Sequence, residues 1–252
     1  MARSPRSRSR SISSWLDVLA IASWGVLFLR YAATDKLYLL IHPNYFGLTI
    51  AAAVVLLLVA AWRTVVLLRR SRQIAAEPHT TLLPPGVSSL LLIAIAVLGL
   101  VVSPRAFASQ TAIDRGVGDT LSATRVKPQA FRGNASSEER SLIEWIRVLT
   151  VYPEPDAYVG QRAKVQGFVT HPPNLGPEYL LISRFIITCC AADAYPISLP
   201  VKLTQSRDAY KPDSWLEIEG QMITETLVGK RQLTIEAKSL KPIPEPKNPY
   251  DY

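Results

Sequence analysis

The sequence predicts a membrane α-helical part with three transmembrane helices, followed by a small, mainly β external domain. We expect that domain to be an OB-like five-stranded barrel with one preceding helix. Three long apolar runs lie within residues 15–103, whereas residues 136–245 combine one helical pattern with short alternating segments. The basic excess is confined to the first part: residues 1–103 carry ten Lys and Arg against three Asp and Glu, while residues 104–252 carry 18 against 17.

The three apolar runs are long enough to cross a bilayer as helices. An α-helix rises ~1.5 Å per residue, so about 20 apolar residues span a hydrocarbon core of ~30 Å. The second run is uncharged over residues 44–62. The first contains Asp17 and Arg30 near its ends, where a charged side chain can reach the interface. The predicted spans are approximately residues 15–33, 44–68 and 87–103.

The arginines predict the orientation of these helices. Cytoplasmic flanks of membrane helices are enriched in Lys and Arg, so the basic N-terminus (residues 1–14) and the segment after the second run should both be cytoplasmic. Three spans then place residues 104–252 outside the cytoplasm. Because a membrane helix accounts for the N-terminal arginines, we predict the lipid bilayer as a partner and no nucleic acid. The arginines concerned are Arg3, Arg6, Arg8, Arg10, Arg63, Arg69, Arg70 and Arg72.

A linker and one helix precede the predicted strands. Residues 104–135 are polar and rich in small residues, which is typical of a tether. Ser136 and Glu139 then have capping-box spacing, which predicts a helix start. The following apolar residues recur at helical spacing and should form its buried face. They are Leu142, Trp145, Ile146 and Leu149.

Period-two alternation predicts the strands of the external domain. Apolar and polar residues alternate in four segments, and residues 179–188 form a nearly continuous apolar run, as expected of a strand covered on both faces. Five short strands bounded by Gly and Pro favour a small closed barrel, with a sandwich as the alternative. Residues 246–252 are expected to be a C-terminal tail. The alternating segments begin near Ala163, Ile197, Leu216 and Leu233.

The sequence contains none of the common catalytic motifs. There is no Ser-His-Asp spacing, Gly-rich phosphate loop, HExxH motif or pair of catalytic carboxylates. We therefore predict that the protein is not an enzyme. The only two cysteines are adjacent, in the stretch RFIITCCAADAYPI (residues 184–197), and an aspartate follows at Asp193.

This stretch resembles the YcgQ-type family of bacterial membrane proteins, together with VQGFV before it, SWLEIEG after it and the ending NPYDY. That family has N-terminal membrane helices and an external domain with a Cys-Cys-x-Ala-Asp-Ala signature. The resemblance implies a bacterial plasma (inner) membrane protein with a periplasmic C-terminal domain. It also implies an accessory role beside a YcgR-type permease, and it implies no known reaction. The matching residues are Cys189, Cys190, Ala192, Asp193 and Ala194.

Strand geometry limits what the two cysteines can do. If residues 185–190 stay in a regular strand, successive side chains point to opposite faces and the two thiols diverge. One shared metal ion requires the strand to end or bulge at residues 188–191, and CCAADAYP favours such an exit. The candidate metal ligands are Cys189, Cys190, Asp193 and His171.

Three interpretations of Cys189 and Cys190 remain open. They could be small apolar residues of the core, because unpaired cysteine often packs that way. They could bind zinc or copper, since thiolate beside carboxylate and imidazole suits those metals. They could also be a thiol-redox pair, because an oxidising exterior favours disulfides.

Arg184 is a separate candidate in an otherwise apolar strand. It could bind an anionic group of a ligand. A structural role is the simpler interpretation, because a buried charge normally needs a counter-ion. The expected counter-ion is Asp193 or Glu178.

Overall fold

The computed structural model describes residues 5–69, 86–116 and 137–252. The chain divides into two compact units, Met1–Arg105 and Ala106–Tyr252. The first is helical. The second contains a mixed β-sheet and two helices.

The described part of the first unit contains three α-helices: α1 (Pro5–Ala33), α2 (Phe46–Arg69) and α3 (Val87–Val101). Two segments, Ile12–Ala33 and Pro43–Arg69, are long and apolar enough to span a membrane. The third helix is apolar but has 15 residues, which corresponds to about 22 Å of helix and is shorter than a ~30 Å hydrocarbon core. The described residues therefore contain two helices of spanning length, and the third span stays a prediction.

Helices α1 and α3 pack side by side in the same direction. Ser89, in the first turn of α3, donates a hydrogen bond to the carboxylate of Asp17 in the first half of α1. Near the other ends, the hydroxyl of Tyr31 donates to the carbonyl of Gly99 at 2.6 Å. The order of contacts is thus the same along both helices, so they are parallel.

The second unit begins with helix α4 (Ser109–Asp114) and continues with α5 (Leu142–Val151). The capping box of α5 lies at Ser141 and Glu144: Ser141 N–H donates to the Glu144 carboxylate at 2.7 Å, and the Ser141 hydroxyl accepts from Glu144 N–H. The start predicted at Ser136 was too early; Ser136 lies outside the described residues, and Ser137–Glu139 form a separate 3-10 turn. Both pairs have the same spacing, but only the second directly precedes the apolar face.

The buried face of α5 agrees with the sequence pattern. Helix α5 packs against the sheet, and its apolar residues join the main hydrophobic core with the inward-facing residues of the strands. The predicted face is therefore confirmed. It consists of Leu142, Trp145, Ile146 and Leu149, all at most 5% exposed.

Six strands form one mixed sheet in the order β1-β4-β5-β3-β2-β6. An additional antiparallel pairing joins β1 to β2 near Val169 and Ile182, so the first five strands form a partial ring. Strands β3 and β5 are parallel, as are β2 and β6, and the remaining pairs are antiparallel. The strands are β1 (Arg162–Thr170), β2 (Tyr179–Ile186), β3 (Tyr195–Lys202), β4 (Trp215–Leu227), β5 (Lys230–Ile243) and β6 (Tyr250–Asp251).

Two segments expected to lie outside the domain are part of it. Residues 106–116 belong to the second unit, where the Phe107 ring lies 5.1 Å from the Phe185 ring. The rest of the predicted linker, residues 117–135, lies outside the described residues. At the other end, the expected tail supplies β6, which pairs with the end of β2. Burial of the Phe107 and Tyr250 rings explains why both segments pack on the domain. Each ring contacts Phe185, near the end of β2.

Candidate metal site

The two cysteines lie where β2 leaves the sheet. Strand β2 ends at Ile186, and Ile187 N–H makes one more bond, 3.1 Å long, to the carbonyl of Asp251. The chain then turns into a 3-10 helix over Ala191–Asp193 before β3 begins. The strand therefore ends before Cys189, which was the condition for two adjacent thiols to converge. Their Sγ atoms are 3.6 Å apart.

Asp193 holds this turn together. Its carboxylate accepts hydrogen bonds from Cys189 N–H at 2.8 Å and from Cys190 N–H at 3.3 Å. The hydroxyl of Thr188 also donates to it. In return, the Cys190 sulfur accepts from Asp193 N–H, which completes a capping box for the short helix. Backbone and side chain together thus keep the carboxylate beside both thiols.

Three potential ligand atoms converge in this turn. One atom each from Cys189, Cys190 and Asp193 lies within 4.8 Å of the others. Cys189 is exposed and Cys190 is half-buried, and neither is in a disulfide. Cysteine sulfur and carboxylate oxygen are both ordinary zinc ligands, so the donor types fit a metal ion. The exposure of Cys189 rules out the interpretation of two buried core residues.

Hydrogen bonding with Asp193 opposes the ionisation of its neighbour Cys189. Hydrogen bonding with Asp193, and then with Cys190, raises the pKa of the Cys189 thiol to about 11. Partial burial acts to raise the pKa of Asp193, but hydrogen bonds from Thr188 and Cys189 outweigh it, and the pKa is lowered. At neutral pH the site is therefore a carboxylate beside a neutral thiol. A cation changes this balance, because a bound metal replaces thiol protons.

His171 is not in the three-donor group. Burial lowers the pKa of its imidazole, the positive charge of Arg207 lowers it further, and Asp208 opposes them. These neighbours place the ring beside the 3-10 helix Arg207–Ala209. Within the described residues, its buried Nε2 atom has no hydrogen-bond partner. The structure brings Cys189, Cys190 and Asp193 together without this histidine.

Arg184 is engaged in a buried ion pair. Its guanidinium lies 3.3 Å from the carboxylate of Asp251, and the two side chains are 15% and 14% exposed. It also donates to the carbonyl of Asn248 at 3.2 Å and lies over the Trp215 ring. The sequence suggested Asp193 or Glu178 as its partner. Strand β6 supplies Asp251 instead, because it pairs with β2 directly beside Arg184.

Thr188 and Asp251 were not identified from the sequence. For Thr188 there was a signal, since Cys190 and Asp193 have capping-box spacing and a hydroxyl just before such a turn commonly bonds its acid. For Asp251 there was none, because a two-residue strand leaves no detectable alternation.

A protein-family model matches the part of the chain that carries this turn. Residues 134–252 match the DUF1980 C-terminal domain. The match covers the helix α5, all six strands, the Cys-Cys-Asp turn and Asp251. The DUF1980 C-terminal domain is of unknown function, so the match indicates no activity. No curated protein and no solved structure matches the chain.

Proposed function

We propose that this protein is a membrane-anchored accessory subunit of a permease, whose external domain binds a metal ion through Cys189, Cys190 and Asp193. The convergence of three donor atoms within 4.8 Å carries the metal-binding part of the proposal. The proposed role is binding and transfer of the ion rather than catalysis. The permease partner rests on the resemblance of the Cys-Cys-x-Ala-Asp-Ala signature to YcgQ-type proteins.

Metal binding is favoured over thiol-redox chemistry by the charge around the thiols. A redox cysteine is activated by a cationic neighbour or a helix N-terminus that lowers its pKa. Here the Asp193 carboxylate raises the pKa of Cys189 to about 11. A negative charge beside a thiol hinders thiolate formation, but it adds to the attraction for a metal cation. The Asp193 carboxylate thus opposes the free thiolate that redox chemistry needs, whereas a bound dication offsets that negative charge and displaces the thiol proton.

The membrane anchor is inferred from helix packing together with the arginines. Helices α1 and α3 are parallel, and α2 lies between them in the sequence, which is the arrangement of a three-span unit. Basic residues precede the first candidate span (Ile12–Ala33) and lie at and beyond the C-terminal end of the second (Pro43–Arg69), so both of these ends are expected to be cytoplasmic. The C-terminal domain then lies outside the cytoplasm, with the short α3 crossing beside α1.

We also infer that the partial ring of strands is an OB-like barrel. Pairing continues from β1 through β4, β5, β3 and β2 back to β1, which is a five-stranded, partly open arrangement. Such barrels often bind nucleic acid, but that requires a basic surface. Residues 104–252 carry 18 basic against 17 acidic side chains, so a metal ligand is the better match.

Metal content is the first test. The full chain is purified in detergent, reduced, equilibrated separately with zinc and copper(I), desalted and analysed by mass spectrometry for metal per protein. We expect one ion per chain, and loss of that ion in the Cys189→Ser/Cys190→Ser variant.

Asp208→Asn is the matched control, because Asp208 also lies in a surface 3-10 helix but outside the donor group. It should retain the ion. Equal metal content in the wild-type chain and the double-serine variant would reject the proposal.

A further inference from the structure

We infer that the ion is a thiophilic dication of the zinc type, held by three protein donors with a fourth coordination position open to an external ligand. This inference rests on the proposed function and goes beyond it in two respects. It names the class of ion. It also makes the site one of transfer, in which a second molecule completes the coordination shell, rather than a structural site.

The donor set favours a dication. Two thiolates and one carboxylate carry three negative charges when all are metal-bound, so a dication leaves a net charge of −1 and a monovalent ion leaves −2. The Asp193 carboxylate is also a harder donor than sulfur. Carboxylate beside thiolate suits zinc, whereas copper(I) is selected by sulfur ligands alone.

The number of donors indicates an open position. Structural zinc sites are closed by four protein ligands, whereas sites that exchange a ligand have three and keep the fourth position for water or substrate. Over residues 5–69, 86–116 and 137–252, the group that can hold an ion consists of Cys189, Cys190 and Asp193. The imidazole of His171, the remaining predicted ligand, lies beside Arg207 and outside this group.

The open position is accessible. Cys189 is exposed, while Cys190 and Asp193 are half-buried. An external donor can therefore reach an ion on the Cys189 side, while the other two ligands are anchored in the turn. A closed structural site requires the opposite, namely ligands from several elements around a shielded ion.

The turn is formed by contacts that need no ion. Thr188, Cys189 and Cys190 all donate hydrogen bonds to Asp193, and Ile187 N–H remains bonded to β6. An ion can therefore arrive and leave without refolding the domain. Transfer is then ligand exchange: a donor of the receiving molecule bonds to the ion at the fourth position, and the bonds to Cys189, Cys190 and Asp193 break in turn. Each released thiolate regains a proton from water. No electrons are transferred.

Cobalt(II), a spectroscopic substitute for zinc, tests this inference on the reduced full chain in detergent. We expect one cobalt per chain, with thiolate-to-metal absorption and tetrahedral ligand-field bands. Adding imidazole should then shift the ligand-field bands and saturate at one imidazole per cobalt. With zinc loaded instead, the rate of transfer to the chelator 4-(2-pyridylazo)resorcinol should rise in proportion to chelator concentration, because the chelator enters at the open position.

Each part of the inference has its own contradicting result. Ligand-field bands that do not shift when imidazole is added, together with a zinc transfer rate that does not depend on chelator concentration, would show a closed site. That result would overturn the open coordination position. Binding of copper(I) without cobalt(II) or zinc would overturn the dication while leaving the proposed metal-binding function intact. Binding of none of these ions would overturn the proposed function itself, and this inference with it.

Discussion

Asp193 has two roles that depend on the same carboxylate. It accepts three hydrogen bonds that shape the turn, and it stands beside the thiols as a third potential ligand. One oxygen accepts from Thr188 and Cys189, whereas the other accepts only from Cys190 among these bonds. The Cys189 thiol also hydrogen-bonds to this carboxylate, and it gives up its proton when it binds an ion. A substitution at Asp193 is expected to affect both the geometry of the site and the reactivity of Cys189.

The first residue-scale prediction concerns thiol reactivity in the metal-free protein. In a Cys190→Ser background, Asp193→Asn should lower the pKa of Cys189, because it removes the carboxylate whose hydrogen bonding is the largest cause of the raised pKa. Alkylation of Cys189 by iodoacetamide at pH 8 should then accelerate by roughly 10- to 100-fold. Asp208→Asn in the same background should leave the rate unchanged. An unchanged or slower rate in the Asp193 variant would contradict the assigned cause.

The sequence indicated the candidate ligands, Cys189, Cys190 and Asp193, but not the contacts that bring them together. Adjacent cysteines and an acid three positions on could be recognised as a candidate because their chemistry is carried by residue type. Whether the thiols converge depends on where β2 ends, and that is decided by pairing with β6 and by the Asp193 cap. Neither contact produces a periodic pattern in the sequence. The sequence could therefore show only that the two thiols would converge if β2 ended before them.

Strand β6 shows how a very short element can hold a site in place. Its two residues pair with Phe185 and Ile186, and its Asp251 carboxylate neutralises Arg184. Burial raises the pKa of Asp251, and the positive charges of Arg184 and Arg147 only partly offset it. Because the Asp251 carbonyl also accepts from Ile187 N–H, the strand fixes the point at which β2 leaves the sheet.

We predict that Arg184→Met destabilises the protein by about 3 kcal/mol at pH 7, because it leaves the Asp251 charge buried without its partner. The melting temperature of the full chain in detergent should fall by about 6–12 °C. The deficit should shrink as the pH falls, since the raised pKa lets Asp251 take up a proton in the folded state before it does so in the unfolded chain.

The double variant Arg184→Met/Asp251→Leu is the control, because an apolar pair of similar volume removes the unpaired charge. It should recover most of the lost stability. The assigned role of the ion pair would be contradicted if the Arg184→Met variant had the same melting temperature as the wild-type protein. It would also be contradicted if the loss of stability did not depend on pH.

At the scale of the whole molecule, the proposed function depends on which side of the membrane carries the domain. Two helices are long and apolar enough to span, and α3 is a 15-residue apolar helix parallel to α1. Apolar length was readable from the sequence, because hydropathy is additive along a helix. The strand pairing that returns β1 to β2 was not, since long-range register depends on contacts between distant segments.

Alkaline phosphatase fusions test the proposed topology, because this enzyme is active only outside the cytoplasm. We expect activity from a fusion after Tyr252 and none from a fusion near position 72, since the arginines there are expected to remain cytoplasmic. Immunoblots should show equal amounts of both fusions. The opposite pattern would place the domain in the cytoplasm and remove the basis for an external metal site.

The most direct measurement for the central claim is X-ray absorption at the zinc edge of the zinc-loaded full chain in detergent. Binding by Cys189, Cys190 and Asp193 predicts a first shell with two sulfur atoms at about 2.3 Å and lighter donors at about 2.0–2.2 Å. The Cys189→Ser/Cys190→Ser variant, treated identically, should show no sulfur shell. A first shell made only of nitrogen and oxygen in the wild-type protein would contradict the proposed site.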